Sequence, residues 1–182
     1  MSETEKLIET TFISMLEKEK LSRITVKDIT SKCGISRNSF YYHYEDIPAL
    51  LDRITMRAID DLISGIPKEA SLRQCIRAIY SYAYSRKNVI LHVRFSSGSF
   101  ISDGYLLHLC RYTSRRYLES HVFSYARSNL TEHDKHLLLS FMSYELAGQF
   151  TDWMNQRMPE SFINDISDIC NLLENYIRAV AN

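Results

Sequence analysis

Glycine and proline are scarce in this chain, at 5 and 3 among 182 residues. A sandwich or barrel of strands needs such turn residues at short intervals, so their scarcity excludes a loop-rich all-β fold and favours long helices. No run approaches the roughly 20 consecutive apolar residues of a membrane span, and no membrane partner is expected. The opening MSETEKLIET is acidic and amphipathic, unlike a secretory signal. Cysteine is present but not in pairs: Cys33, Cys75, Cys110 and Cys170 lie far apart, with no C-x-x-C. Each falls in an apolar helical pattern, where a free thiol behaves as a small buried hydrophobe. A disulfide framework is therefore not expected, and a cytoplasmic setting is. An excess of one charge is missing too, since 22 Lys and Arg balance 22 Asp and Glu. That balance argues against indiscriminate coating of nucleic acid but leaves room for a local basic edge. No glycine-rich phosphate loop, nucleophile elbow or strong ligand cluster is present, so neither an enzyme nor a cofactor is expected.

What the chain does have is helix punctuation, and 45% hydrophobic residues to build a core. Leu7, Ile8, Phe12, Met15 and Leu16 recur at helical spacing, which predicts a first helix over 2–19. Thr25 with Asp28 forms a capping box for a short second helix through Lys32, followed by Gly34. Ser36 caps a third helix to about Tyr42. Asp46, with Pro48 just inside, opens a fourth that runs to Gly65. Gly65-Ile66-Pro67 is the clearest break. Beyond it the pattern predicts helices over 71–86, 88–95, 105–127, 131–158 and 160–180, with 96–104 as a loop. The expected fold is all-α, with about nine helices.

Two short helices joined through glycine, the second beginning Ser36-Arg37-Asn38-Ser39, have the form of a helix-turn-helix. In that arrangement the N-terminal residues of the second helix face base edges in the DNA major groove. Arg37 is suited to a bidentate contact with guanine, and Asn38 to one with adenine. Ser39, Tyr41, Tyr42 and His43 offer donors for phosphate oxygens, while Phe40 and Tyr44 are expected to turn inward.

The residues Thr25, Val26, Ile29, Gly34, Ile35, Ser36, Ser39, Phe40, Tyr41, Tyr42, His43 and Tyr44, then Leu50 and Leu51, resemble the TetR family of bacterial transcription regulators. That family commonly shows G-[VI]-S followed by [TS]-[FLI]-Y-x-[HY]-F before the fourth helix. The resemblance covers about residues 6–51. It implies a helix-turn-helix DNA-binding head at 1–46, a connecting helix at 47–65, and an effector-binding and dimerisation domain at 66–182, in a branch with a short C-terminal domain. It also implies that Ser36, Arg37, Asn38, Ser39, Tyr41, Tyr42 and His43 contact DNA, with Thr25 and Lys27 touching backbone or a groove edge. One departure stands out. The family usually carries a lysine where this chain has Ile47, and Glu45 and Asp46 precede it. Fewer phosphate contacts and a shallower salt dependence are expected.

The resemblance further implies a repressor that binds a palindromic operator as a homodimer and answers to a small-molecule effector; control by a protein co-regulator is the alternative. The last two helices would pair the subunits, through Leu138, Phe141, Trp153, Phe162, Ile166, Ile169, Leu173 and Tyr176. A monomeric bundle burying these residues internally is the competing arrangement. Tyr80, Tyr84, His92, Phe95, Tyr105, His108, Tyr112, Tyr144, Glu145 and Gln149 fall on the helices where family pockets form. An aromatic lining with a few polar groups suits a small, largely apolar ligand, although ordinary core packing would use the same residues. His133 and His136 share a helix face, but two solvated histidines near a capped helix end explain them better than a metal does.

Overall fold

The computed structural model describes residues 1–96, 103–123, 130–166 and 168–171. Among these residues every regular element is helical. In chain order they are α1 (Glu3–Leu16), a 3-10 turn (Leu21–Arg23), α2 (Val26–Cys33), α3 (Arg37–His43), α4 (Ile47–Gly65), α5 (Leu72–Ser85), α6 (Lys87–Arg94), α7 (Asp103–Tyr117) with a π-helical turn (Leu118–Val122), and α8 (Glu132–Asn155). Residues 162–166 and 168–171 are also helical, and the rest of the expected last helix, with Leu173 and Tyr176, lies outside the described residues.

The starts of these helices follow from local chemistry. Ser2 with Glu5, Thr25 with Asp28 and Thr131 with Asp134 form reciprocal capping boxes. Ser71 and Gln74 make the same exchange at the head of α5, at 2.8 and 3.3 Å. The Thr25 hydroxyl and amide hold the Asp28 carboxyl below the ordinary aspartate value of 3.8. At α4 the Asp46 carboxylate accepts from the Ala49 amide at 2.7 Å.

The ends are less local, and here the structure departs from the sequence pattern. The seventh helix does not run on uniformly as α: it widens into the π turn, where the Phe123 amide donates to the Leu118 carbonyl at 2.7 Å. The eighth stops at Asn155 rather than Met158, because Arg157 and Met158 take left-handed conformations, with φ of 62° and 53°. These strained positions are held by burial of Met158 and by its amide, which donates to the Trp153 carbonyl at 2.8 Å.

The chain packs as two units, one of Met1–Ala58 with the described residues of Arg86–Ser102, the other of Ile59–Ser85 with the described residues of Asp103–Asn182. In the first, Ile8, Phe12, Leu16, Ile29, Phe40, Tyr44 and Leu50 form a core that Val89 and Val93 of α6 complete. The His92 ring nitrogen Nδ1 lies 2.6 Å from the Leu16 carbonyl oxygen at the end of α1, and Ser96 Oγ accepts from the Ser22 amide. In the second, Ile63, Leu72, Cys75, Ile79, Tyr117, Leu118 and Cys170 cluster. Asp60 there accepts from the Tyr112 hydroxyl and from Arg116 Nε, the latter at 2.7 Å.

All four cysteines are free thiols, but Cys33 is only half-buried while Cys75, Cys110 and Cys170 are enclosed. Burial pushes the Cys110 thiol up to about 12. Iodoacetamide at about pH 8 should therefore label Cys33 first in the native protein, and Cys110 only after unfolding, as peptide mapping would show.

Candidate functional site

The turn between α2 and α3 rests on Gly34, whose φ of 67° places it in the left-handed region. Such a residue ends a helix at little cost only when it lacks a Cβ. The Ile35 amide then donates back to the Thr30 carbonyl at 3.1 Å, and Ser36 accepts from the Ser39 amide at 3.1 Å to start α3. This local geometry sets where the first turn of α3 points.

Arg37 and Asn38 stand exposed on that turn, and Arg37 makes no ion pair among the described residues. Tyr41 and Tyr42 follow with 53% and 85% of their surface accessible. Phe40 and Tyr44 are buried in the core, as the aromatic alternation predicts. The Phe40 ring meets Tyr41 edge-on at 5.6 Å. Thr25 and Lys27 are exposed at the start of α2. Ser36 spends its hydroxyl inside α3, donating to Ser39 Oγ at 3.2 Å, and Ser39 is half-buried. His43 is mostly covered, with Nδ1 3.8 Å from Glu5 Oε1. One face of a two-turn helix thus offers a guanidinium, a carboxamide and two phenols to a partner. Such a set can read base edges with its first turn and grip phosphates with the next.

The expected effector residues do not form one group. His92 and Phe95 belong to the N-terminal unit, whereas the others lie in the second unit. There Tyr80, Phe150, Trp153 and Phe162 form an aromatic cluster, with Tyr80 and Phe150 centroids 4.6 Å apart and Trp153 stacked on Phe162 at 6.0 Å. Tyr84 stacks against Trp153 from the other side. Gln149 donates to Glu145 at 2.9 Å along α8. The Tyr80 hydroxyl is buried and has no hydrogen-bond partner among the described residues. Burial foremost, then the nearby Cys110, Cys170 and Glu145, raise its pKa far above the tyrosine range. Tyr105 stacks on His108, and Tyr112 is engaged by Asp60. Tyr144 faces outward with 60% of its surface accessible.

The residues expected at a subunit interface divide as well. Trp153 is fully enclosed, its Nε1 donating to the Pro159 carbonyl at 2.8 Å, and Ile166 is buried within the chain. Leu138 packs on the core of the second unit, and Phe162 joins the aromatic cluster. Phe141 and Ile169 are exposed. Leu137, Phe141, Tyr144 and Gly148 instead line one outward stripe of α8. The 4-3-4 spacing is present in the sequence, but three consecutive leucines at 137–139 leave its phase undetermined. His133 and His136 are exposed, and no group of three metal-ligating side chains converges among the described residues.

A family model described as the C-terminal region of transcriptional regulators, of TetR type, matches residues 70–175, more than half of the chain. The chain belongs to the TetR family of transcriptional regulators. It is 32% identical over 82 residues to the uncharacterized HTH-type transcriptional regulator YxbF of Bacillus subtilis, covering 42% of this chain and 22% of that one. It is 28% identical over 101 residues to the uncharacterized HTH-type transcriptional regulator YerO of the same organism, covering 50% and 35%. The chain thus spans about a fifth to a third of the curated relatives it matches. The dihydroxyacetone kinase operon activator DhaS shares the fold, with a TM-score of 0.61 over 97% of this chain and 95% of that one, at 15% identity. No helix among the described residues is long and apolar enough to cross a membrane.

Replacing Arg37 by alanine should cost about 1–3 kcal/mol on the preferred duplex and relax one base preference, read by fluorescence anisotropy across single-base variants. Tyr80→Phe removes a buried hydroxyl that has no partner among the described residues. It should leave thermal stability unchanged or raise it by about 1 kcal/mol, where a hydroxyl holding a structural hydrogen bond would show a loss.

Proposed function

We propose that this protein is a sequence-specific transcriptional regulator that reads a palindromic operator as a homodimer. The observation that carries this reading is the exposed Arg37–Asn38 pair on the first turn of α3, oriented by the Gly34 turn and the Ser36 cap, with no ion pair to Arg37 among the described residues. Thr25, Lys27, Ser39, Tyr41 and Tyr42 supply backbone contacts around it. The exposed Glu45 and Asp46, and Ile47 in place of a lysine, keep the number of phosphate contacts low and the salt dependence shallow.

The dimer is supported by the α8 stripe. Leu137, Phe141 and Tyr144 have 53%, 56% and 60% of their surface accessible, in line with Gly148. A second copy laid against this stripe would bury three large apolar side chains. At about 25 cal/mol per Å² such burial supplies several kcal/mol. The operator is then two half-sites about 34–36 Å apart on successive turns of the duplex.

Control comes from an effector bound in the second unit, beside the aromatic cluster around Tyr80 and Trp153, with the Tyr80 hydroxyl as its polar anchor. The ligand is a small, largely apolar molecule with a hydrogen-bond acceptor. The regulator works in the cytoplasm, and represses where its site overlaps a promoter. The structural neighbour is by its title an operon activator, so the position of the operator decides the direction of control.

Selection from random duplex DNA should enrich a palindrome with half-sites about one helical turn apart. Phe141→Glu should shift the protein from dimer to monomer in light scattering and lower affinity for that palindrome by at least about tenfold. A protein that is already monomeric, or a selected site without symmetry, would rule the dimeric reading out.

A further inference from the structure

The reading helix ends on a shared carboxylate. Tyr44, the residue after α3, is buried, and its hydroxyl donates to Glu9 Oε1 of α1 at 2.7 Å. The other oxygen, Glu9 Oε2, accepts from Arg57 Nη1 of α4, also at 2.7 Å. One turn earlier on α1, Glu5 Oε1 accepts from Arg53 Nη1 at 3.2 Å and faces His43. The Arg53 guanidinium also lies over the Tyr44 ring, 5.2 Å from its centroid. All of these residues fall within the N-terminal unit.

The contribution of the Tyr44 hydroxyl can be separated from that of its ring. A phenylalanine ring would fill the same core site and give Glu9 nothing. Burial first, and the Glu9 contact second, raise the Tyr44 pKa well above the tyrosine range, so the phenol stays a donor at any physiological pH.

We propose that Glu9 and Tyr44 are positioning residues for DNA reading, the Glu9 carboxylate tying the C-terminal end of α3 to α4 and so fixing the angle at which Arg37 and Asn38 meet base edges. The inference rests on the assignment of α3 as the reading helix. The mechanics are simple. The Ser36 cap fixes where α3 starts, and Phe40 fixes its rotation about its own axis. A third point is needed to stop the helix tilting, and Tyr44 with Glu9 provides it. At 1.5 Å per residue α3 is about 10 Å long, so a tilt pivoting near Phe40 displaces the two ends by similar distances. A displacement of about 1 Å takes a bidentate base contact outside hydrogen-bond geometry. Phosphate contacts from exposed tyrosines absorb such a shift through side-chain rotation. Discrimination between sequences therefore suffers before general DNA affinity does.

The test compares Tyr44→Phe, Glu9→Ala, their double variant and Glu9→Gln with the parent. Anisotropy is measured on the duplex that the parent selects and on a scrambled duplex, with thermal melting and amide hydrogen exchange of the free proteins alongside. Tyr44→Phe and Glu9→Ala should each lower the selected-to-scrambled affinity ratio about tenfold, and the double variant should lose no more than either. Exchange of the Tyr44 amide, which donates to the Phe40 carbonyl at 2.9 Å, should accelerate while α2 is unchanged. Glu9→Gln keeps one oxygen for the Tyr44 hydroxyl but turns an NH2 group toward the Arg57 guanidinium, so the tie to α4 is lost and the ratio should fall as it does in Glu9→Ala. An unchanged ratio in Tyr44→Phe and Glu9→Ala overturns the proposal, and so does a fall in melting temperature alone with the ratio intact. A parent that prefers no duplex at all overturns the DNA-reading assignment itself, and the positioning role falls with it.

Discussion

A helix of seven residues has too few internal hydrogen bonds to stand on its own in water. The proposed function depends on presenting such a helix in one fixed orientation, and much of the N-terminal unit holds it in place. Gly34 aims it, and Ser36 satisfies an amide at its start. Phe40 anchors its middle by a burial worth roughly 1.5–3 kcal/mol. The cap residue Tyr44 closes it on α1. Exposed residues between these fixed points are left free for a partner. The division of labour is visible in the burial pattern, where Phe40 and Tyr44 are covered and Tyr41 and Tyr42 are open.

Electrostatics in the same unit follow a matching logic. Glu5 and Glu9 neutralise Arg53 and Arg57, so two of its cations are committed to holding helices together. Arg37 and Lys27 remain uncommitted among the described residues. Across residues 1–58 nine Asp and Glu balance nine Lys and Arg, so this stretch carries no net positive charge. In the proposed DNA-reading role it would depend more on the geometry of its short helix than on attraction to the phosphate backbone.

Features written in local sequence were legible from the residues alone. Capping boxes span three residues, and the glycine turn spans one, so the starts of α1, α2, α3, α5 and α8 could be read directly. The inward turn of Phe40 and Tyr44 followed from their spacing. What could not be read depends on partners distant in the chain. His92 looks like a pocket residue in sequence, yet it sits against the Leu16 carbonyl 76 positions away. The end of α8 is set by burial of Met158 and by the Trp153–Pro159 contact, not by a helix-breaking residue at 156. The phase of the outward α8 stripe was hidden because Leu137, Leu138 and Leu139 satisfy either register. The link from Tyr44 to Glu9 was invisible for the same reason: nothing local couples positions 35 residues apart.

The enclosure of Trp153 has an optical corollary. It is the sole tryptophan of the chain, and it sits wholly inside the second unit, stacked among Tyr80, Tyr84 and Phe162. Light absorbed selectively by indole is therefore emitted from that unit alone, while the N-terminal unit stays dark. The protein carries a built-in spectroscopic label for rearrangement around the aromatic cluster, with no background from α1 to α3.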